Sequence, residues 1–379
     1  MTYFHSYWTR PVLDPGRPGA EQELLWWDFE ALTWLWSALE LRQHGPLKLV
    51  TDDRGLLAVQ RAGLEWVYTG GISTALERIP LELDPGTFWA AGKLYAYLES
   101  PAPCVSVDTD AVLLQPLTPT APVMALHGED RDSGWYRNDA ALFSQFGFEG
   151  PNWDWSIHPI NAGVVYLQDQ KLLELYVETA TRFMLECSQR YHGQSQAKRE
   201  IPSNAMLFAE QRLLPMCAHR LGQALAFVTR QEAGPGWLPL NKECLHLWGA
   251  KHAYKLCPEA RAAAVNHLRD QLLERFPEAR TTLVRWALDK PQQVSPGDAD
   301  FREALTHSSA LGLTFSLLRQ VRGLVSVRDR VLGARRQARE GSMIWSAEIL
   351  EPEPGASCEL LAGGQHALRL SHHSEQERS

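Results

Sequence analysis

Strand-like and helix-like patterns alternate along the first half of the chain, and this alternation limits the possible folds more than any other feature of the sequence. Short β-branched and aromatic runs alternate with segments whose apolar residues recur at helical spacing. Such alternation with short connections predicts a mainly parallel sheet with helices on both faces. The predicted strands are 2–8, 47–53, 64–70, 104–117, 122–127, 160–168 and 244–249, and the predicted helices are 21–44, 54–62, 85–100, 170–192 and 203–221.

The loops between these elements lack the glycine motifs that bind nucleotide phosphates in two common α/β folds. No G-x-G-x-x-G follows the first predicted strand, and no G-x-x-x-x-G-K-[ST] occurs anywhere in the chain. The sequence therefore supports neither a dinucleotide site nor a P-loop.

Composition describes a globular protein and excludes some partners. The 379 residues suffice for two domains or for one large domain with an appendage. A net charge of −8 argues against a general nucleic-acid binder, which needs a basic face. The six cysteines form no C-x-x-C pair, the first residues lack the pattern of a signal peptide, and no apolar stretch is long enough to span a bilayer. These features predict a cytoplasmic protein.

The pattern changes to mostly helix from about residue 256, so we predict a domain over 1–255 and a helical region over 256–350. A polar linker is predicted at 289–300. Residues 314–340 contain seven arginines against two acids, or 7 − 2 = +5, and predict a basic amphipathic helix. This helix would contact a membrane surface or an acidic partner, or would simply pack on the catalytic part with its charges solvated. The tail over 351–379 is predicted to be disordered.

Two acids interrupt an apolar run in the predicted fourth strand, CVSVDTDAVLLQPL at 104–117. Residues i and i+2 of a strand point the same way, so Asp108 and Asp110 should project into one shared space. Two carboxylates this close repel each other and lose hydration unless a cation offsets both costs. Divalent cations bind carboxylate oxygens and bridge phosphates, so the pair predicts a metal–diphosphate site. The alternative is a strand-end pair that caps backbone amides.

The Asp-x-Asp segment and its surroundings resemble glycosyltransferases of the GT-A fold. The preceding helix FWAAGKLYAYLES also resembles that family's segment. Three further segments resemble motifs of the glycogenin-like and galactosyltransferase-like branch, in the same order, namely INAGVVYLQD (160–169), AEQRLLPMCAHRLG (209–222) and LHLWGAKH (245–252). The resemblance covers about residues 1–255. It implies a GT-A-like Rossmann-type mixed sheet flanked by helices, to which we add a mostly helical C-terminal extension.

The resemblance also implies a metal centre. Asp108, Asp110 and His246 would hold Mn²⁺ or Mg²⁺ on the diphosphate of a nucleotide-sugar donor, and Asp108 would also approach the ribose. A lone histidine in a strand is as consistent with a core position as with a metal ligand. Lys251 would neutralise a phosphate as the nucleotide leaves, although it lies slightly closer to His246 than in the family pattern.

The donor's nucleobase and sugar would contact residues at the ends of several strands. Tyr7 and Trp8 lie at the carboxyl end of the first predicted strand, where open α/β sheets bind ligands. They would stack near the base, and Asp52 would reach its polar edge. The sugar pocket would be lined by Asn161 and by Gly163, which lacks a side chain and lets the backbone approach the hexose.

Two charged residues within predicted helices need an explanation. Lys93 lies in an apolar helix, so it either contacts the donor or extends its ammonium to the surface. Glu210 shares a helix face with apolar residues, which makes a solvent-exposed role improbable. With Gln211 beside it, Glu210 would stabilise the transition state, position the acceptor or pair with a buried base.

The sequence thus predicts a metal-dependent glycosyltransferase that uses a nucleotide-diphosphate sugar, with UDP as the favoured nucleotide. The resemblance favours retention of the anomeric configuration, and the acceptor is not specified. Residues 128–159 form a polar, tryptophan-containing loop and are a candidate lid or acceptor wall. The main alternative is a nucleotide-sugar- or glycan-binding protein without catalysis. A metal-dependent phosphohydrolase or nucleotidyltransferase is a further alternative.

Overall fold

The structure is a computed structural model that describes residues 1–12, 26–149, 151–191, 204–229, 244–247, 251, 254, 258–290 and seven later strands. The chain divides into two compact units. The first consists of Met1–Trp26 and Ser37–Gln231, and the second of Trp27–Trp36 and Glu232–Ser379.

A seven-stranded mixed sheet forms the centre of the first unit. Its strands are β1 (Thr2–Tyr7), β2 (Leu47–Thr51), β3 (Ile72–Ser73), β4 (Cys104–Val107), β6 (Val123–Gly128), β7 (Ile160–Leu167) and β8 (Leu225–Phe227), in the order β3-β2-β1-β4-β7-β6-β8. Only β7 runs antiparallel to its two neighbours; the other pairs in this sheet are parallel. The short strand β5 (Ala111–Leu113) follows β4 and lies outside this sheet.

The direction of β7 decides where functional residues can gather. Because β7 is antiparallel to β4 and β6, its first residue lies at the edge where β1, β2, β4 and β6 end. This carboxyl edge of the sheet therefore collects the residues that follow four strands and the residues that begin a fifth. It is the edge at which open α/β sheets bind ligands.

Helices flank the sheet, as the sequence predicts. They are the part of α1 (Asp28–His44) from Ser37 onward, α2 (Asp53–Ala62), α3 (Ala91–Ala96), α4 (Asp139–Phe143), α5 (Gln170–Tyr191), α6 (Ala205–Leu207) and α7 (Leu213–Arg220). Leu94 of α3, Phe183 of α5 and Leu213 of α7 are fully buried in one hydrophobic core with Val165 of β7. The prediction of a mixed sheet flanked by helices is confirmed.

Two elements predicted in this unit differ in secondary structure from those observed. Residues 64–70 do not form a strand, because Glu65–Val67 is a turn of 3₁₀-helix and the third strand begins at Ile72. Leu64 and Val67 are both fully buried, and their spacing of three residues matches the 3₁₀ repeat. The predicted strand over 104–117 is divided by a turn at the two acids, where the Ala111 amide donates to the Asp108 carbonyl.

The predicted helix over 203–221 is interrupted near its middle. A π-helical segment, Phe208–Arg212, lies between α6 and α7 and precedes Pro215. Proline has no amide hydrogen, so Pro215 cannot complete the α-helical bond to the carbonyl four residues before it, that of Gln211. The interruption therefore falls where the predicted site residues Glu210 and Gln211 lie.

The second unit is helical at first and then consists of strands. It contains β9 (Cys244–His246), α8 (Pro258–Arg275) and α9 (Arg280–Arg285). The later strands are β10 (Phe315–Arg322), β11 (Val325–Asp329), β12 (Arg335–Ala338), β13 (Met343–Trp345), β14 (Glu348–Pro352), β15 (Ser357–Ala362) and β16 (Leu368–Ser371). They form two antiparallel sheets, ordered β13-β10-β15-β16 and β12-β11-β14.

The prediction of a mostly helical C-terminal extension is therefore wrong beyond residue 315. The basic segment 314–340 contains β10, β11 and β12 instead of an amphipathic helix, and the tail 351–379 contains β15 and β16. Valine alternates with polar residues in Val325–Asp329, and this period of two is typical of a strand. The many arginines of the segment favour the amphipathic-helix interpretation and conceal this period. The predicted linker, 289–300, lies outside the described residues except at its first two positions. Within the described part of the chain, no helix combines the length and the apolar composition needed to cross a bilayer.

Candidate functional site

The two acids of the Asp-x-Asp segment lie on the turn between β4 and β5, at the carboxyl edge of the sheet. The Asp108 amide donates to the Gly163 carbonyl over 2.8 Å, and the Ala111 amide donates to the Asp108 carbonyl over 2.9 Å. The first bond attaches the turn to β7 and the second closes it. The turn thus presents two carboxylates from a backbone that is held on both sides.

The three residues predicted as metal ligands lie together. One carboxylate oxygen of Asp108, one of Asp110 and one ring nitrogen of His246 are within 4.8 Å of one another. Asp110 and His246 are buried, and Asp108 is partly exposed. The carboxylate oxygens are suitable ligands for both Mn²⁺ and Mg²⁺. The imidazole nitrogen is a suitable ligand for Mn²⁺. The group could therefore hold a divalent metal ion.

Lys93 is the cation nearest to these acids among the described contacts. Its Nζ lies 2.6 Å from Asp108 Oδ1, donates to the Ala162 carbonyl over 3.1 Å and forms a short ion pair with Glu210. Only 6% of the Lys93 side chain is exposed. An ammonium group has three hydrogens, and here it has three acceptors. The snorkelling alternative for Lys93 is therefore wrong.

Burial and neighbouring charges determine the protonation states of Lys93 and Asp108. Burial alone would lower the pKa of Lys93, but Asp108 and Glu210 outweigh it and raise that pKa above its usual value. Burial raises the pKa of Asp108 to about 7, with Asp110 and Glu210 acting in the same direction and Lys93 against them. Lys93 is thus held as an ammonium ion, which excludes it as a nucleophile or as a general base.

The start of β7 joins the turn to its surroundings. Asn161 Oδ1 accepts from the Gly163 amide over 3.0 Å, and Asn161 Nδ2 donates to Glu129 Oε1 over 3.3 Å. Between them, the Ala162 carbonyl binds Lys93. Asn161 and Gly163 therefore shape the backbone beside the two acids. Their predicted contact with the donor sugar stays a prediction.

Glu129 is a site residue that the sequence interpretation missed. It follows β6 at the carboxyl edge, binds Asn161 and lies 3.7 Å from His127 Nδ1. Burial raises the pKa of Glu129, although a quarter of its side chain, 24%, is still exposed. Its neighbours in the chain are polar and made it resemble a solvated loop acid. The sequence feature that could have identified Glu129 as a site residue is its position directly after a strand of the same sheet.

The π-helical segment turns consecutive side chains toward different partners. Glu210 reaches Lys93, while the next residue, Gln211, accepts from the Tyr136 hydroxyl over 2.5 Å through Oε1. The Glu210 carbonyl accepts from the Tyr176 hydroxyl over 2.8 Å. A π-turn often marks a functional site, because it alters the direction in which side chains leave a helix. Of the three sequence alternatives for Glu210, pairing with a buried base is the one observed.

Arg212 attaches the 128–159 loop to the same segment. Its Nη2 donates to the Trp155 carbonyl over 2.6 Å, and its Nη1 lies 3.6 Å from Asp139 Oδ2. Asp139 also accepts from Asn204 over 2.7 Å, and burial raises its pKa to about 7. Tyr136 is buried as well. These contacts favour a packed wall over an open lid for this loop.

The residues predicted to bind the nucleobase have different environments. Asp52 caps α2, since it accepts from the Gly55 amide at 2.8 Å and from the amide and hydroxyl of Thr9, also at 2.8 Å. Trp8 is buried in the core. Tyr7 is partly exposed, and its hydroxyl accepts from Trp26 Nε1 over 2.8 Å. Tyr7 is thus the most exposed of the three residues.

Lys251 lies in the second unit and is partly exposed. Its amide donates to the Leu247 carbonyl over 3.3 Å, which places it one turn after β9. Its predicted contact with a leaving phosphate stays a prediction.

Comparison with known proteins gives the chain a family without a stated activity. No curated protein is similar enough in sequence to count as a relative. One family model matches residues 1–285, a range that includes every predicted site residue and more than half of the 379 residues. The chain therefore belongs to the family described as a family of unknown function, DUF6734.

Proposed function

We propose that this protein is a metal-dependent glycosyltransferase that takes its sugar from a nucleotide-diphosphate donor, with UDP as the expected nucleotide. The observation that carries the proposal is the turn at the carboxyl end of β4. There, Asp108 and Asp110 lie at the carboxyl edge of an α/β sheet, where such sheets bind ligands, and Lys93 pairs with both Asp108 and Glu210.

The proposed transfer depends more on electrostatic stabilisation of the leaving group and the transition state than on covalent catalysis. In the transfer, the bond from the anomeric carbon to a phosphate oxygen breaks, and the diphosphate leaves with the electron pair. The acceptor oxygen bonds to the anomeric carbon, and its proton passes to the departing phosphate oxygen. A metal ion held by Asp108, Asp110 and His246 would offset the charge of the leaving diphosphate. Glu210 is a buried carboxylate paired with Lys93, and its oxygens would help to stabilise a positively charged sugar transition state.

Hydrolysis of the donor tests this proposal without knowledge of the acceptor. A panel of UDP-sugars incubated with MnCl₂ should release UDP, and chelation with EDTA should stop the release. Asp110→Asn should lower the rate about 100-fold or more, because it removes a carboxylate that would hold the metal ion needed to offset the charge of the leaving diphosphate. The matched control is Asp132→Asn in a second Asp-x-Asp pair, whose side chain is 77% exposed. UDP release that is insensitive to EDTA and to Asp110→Asn would contradict the proposal.

One observation favours a second candidate, a nucleotide-sugar- or glycan-binding protein without turnover. Glu210 is already neutralised by Lys93, which is also what a purely structural carboxylate would show. Calorimetry separates the two functions. Tight, Mn²⁺-dependent binding of UDP, together with no hydrolysis or transfer for any donor, would favour the binding protein.

A further inference from the structure

A line of buried hydrogen bonds runs behind the turn that carries Asp110. The Tyr68 hydroxyl lies 3.2 Å from His5 Nδ1, and His5 Nε2 lies 3.1 Å from Ser37 Oγ. Ser37 Oγ then donates to the Ala111 carbonyl over 2.5 Å. His5, Ser37 and Ala111 are completely buried. The line ends at the residue that directly follows Asp110.

The chemistry of these groups sets the direction of every bond. A carbonyl oxygen can only accept, so the Ser37 hydroxyl hydrogen points to Ala111. Ser37 Oγ must then accept from His5, which places the ring hydrogen on Nε2. A neutral ring has no hydrogen on its other nitrogen, so Nδ1 accepts from Tyr68. Burial lowers the pKa of His5 to about 3, which keeps the ring neutral.

The line of bonds gives the backbone of the turn a further attachment, at the Ala111 carbonyl. The Ala111 amide is bound to the Asp108 carbonyl, and the Ala111 carbonyl is bound to Ser37. Both polar groups of the residue after Asp110 are therefore occupied. Asp110 cannot rotate about its own backbone without disturbing one of these two bonds. The backbone that carries the buried Asp110 side chain is thus held at the residue that follows it.

We propose that Tyr68, His5 and Ser37 are positioning residues that hold Asp110 in the orientation needed to bind a divalent metal ion. None of the three is assigned a contact with metal or substrate. The proposal rests on the metal site of the proposed function, and it adds the residues that would tune it. Groups that orient metal ligands in this way typically change metal affinity about 10- to 100-fold when they are removed.

Metal affinity and fold stability can be measured side by side in two matched variants. Ser37→Ala removes the bond to Ala111. Thr33→Ala removes another buried hydroxyl of α1, which donates to the Phe29 carbonyl of the same helix over 2.6 Å. Free Mn²⁺ is measured by electron paramagnetic resonance during titration with MnCl₂, and stability by urea unfolding. We expect Ser37→Ala to weaken Mn²⁺ binding about tenfold, and Thr33→Ala to lower stability without changing the affinity.

A second measurement does not depend on the metal. The ¹⁵N shifts of the His5 ring in the wild-type protein should report hydrogen on Nε2, and Tyr68→Phe should alter the Nδ1 shift. Hydrogen on Nδ1 would overturn the proposed direction of the bonds. If Ser37→Ala does not fold, Tyr68→Phe takes its place in the Mn²⁺ titration, and it should show a smaller loss of affinity.

The outcomes separate this proposal from the proposed function. Mn²⁺ binding that is lost in Asp110→Asn but unchanged in Ser37→Ala would overturn the positioning role and leave the metal site intact. Wild-type protein that binds no Mn²⁺ would overturn both. Equal losses of affinity in Ser37→Ala and Thr33→Ala would also overturn the positioning role, because a general effect on stability would then explain the result.

Discussion

At the scale of single residues, Lys93 is a buried ammonium group that forms ion pairs with two acids. It lies between Asp108 and Glu210, away from water, and its own charge is tolerated only because both acids are present. The reverse is equally true, since each acid depends on the same ammonium. This mutual dependence makes Lys93 a sensitive position for stability as well as for function.

Lys93→Met should destabilise the protein by about 3–5 kcal/mol, because it leaves the buried carboxylate of Glu210 and the partly exposed one of Asp108 without their cation. The free energy of unfolding in urea measures the loss. The double variant Lys93→Met with Glu210→Gln should recover part of it, since one uncompensated charge is removed. Strictly additive losses in the two single variants and the double variant would show that Lys93 and Glu210 do not interact.

His5 should make stability depend on pH. Its pKa is about 3 in the folded protein and near the ordinary histidine value of 6.5 in the unfolded chain, so between these values only the unfolded chain binds the proton. Stability should therefore fall as the pH is lowered through this window, by about 1.4 kcal/mol per pH unit more than in a protein without the group. Urea unfolding at several pH values should show a shallower slope for His5→Gln than for the wild type. Equal slopes would mean that His5 is not buried as a neutral ring.

At the scale of elements, α3 shows how closely the site depends on packing. A Cβ atom on Gly92 would lie 2.5 Å from the Trp8 Cβ, so only glycine allows α3 to approach the end of β1. Lys93 is the next residue in α3. The position of its ammonium therefore depends on this close approach.

Gly92→Ala should destabilise the protein by about 1–3 kcal/mol through this clash. The intrinsic preference of alanine for helices would favour the opposite result. Because α3 must shift, UDP-sugar hydrolysis should also decrease. Thermal unfolding and the hydrolysis assay measure the two effects. Gly86→Ala is the matched control, since its Cβ would meet nothing closer than 3.5 Å and the residue is exposed.

Elements with a clear period could be predicted from the sequence, and elements defined by distant contacts could not. The spacing of apolar residues predicted α1 and α5, and the polar residues at strand ends predicted where the site would form. The π-helical segment was not predictable, because its side-chain directions depend on Lys93 and Tyr136, far away in the chain. Asp52 was placed correctly at a strand end, but sequence alone cannot distinguish a helix cap from a ligand contact.

At the scale of the whole molecule, metal binding should appear as added stability. A ligand that binds only the folded state at 100 times its dissociation constant adds about 2.7 kcal/mol. MnCl₂ should therefore raise the thermal midpoint of the wild type and of Asp132→Asn, but not that of Asp110→Asn. A midpoint that rises equally in all three would show that Mn²⁺ binds elsewhere.

The strand order β4-β7-β6 has a consequence for the protein while it is being made. On the ribosome, β4 and β6 emerge well before Ile160–Leu167, the strand that must enter between them. Until then β4 is an open edge of the nascent sheet, and β6 has no neighbour. Open strand edges are sites of misassociation between chains. We expect the nascent chain to be most vulnerable to aggregation, and most dependent on chaperones, during synthesis of residues 129–167.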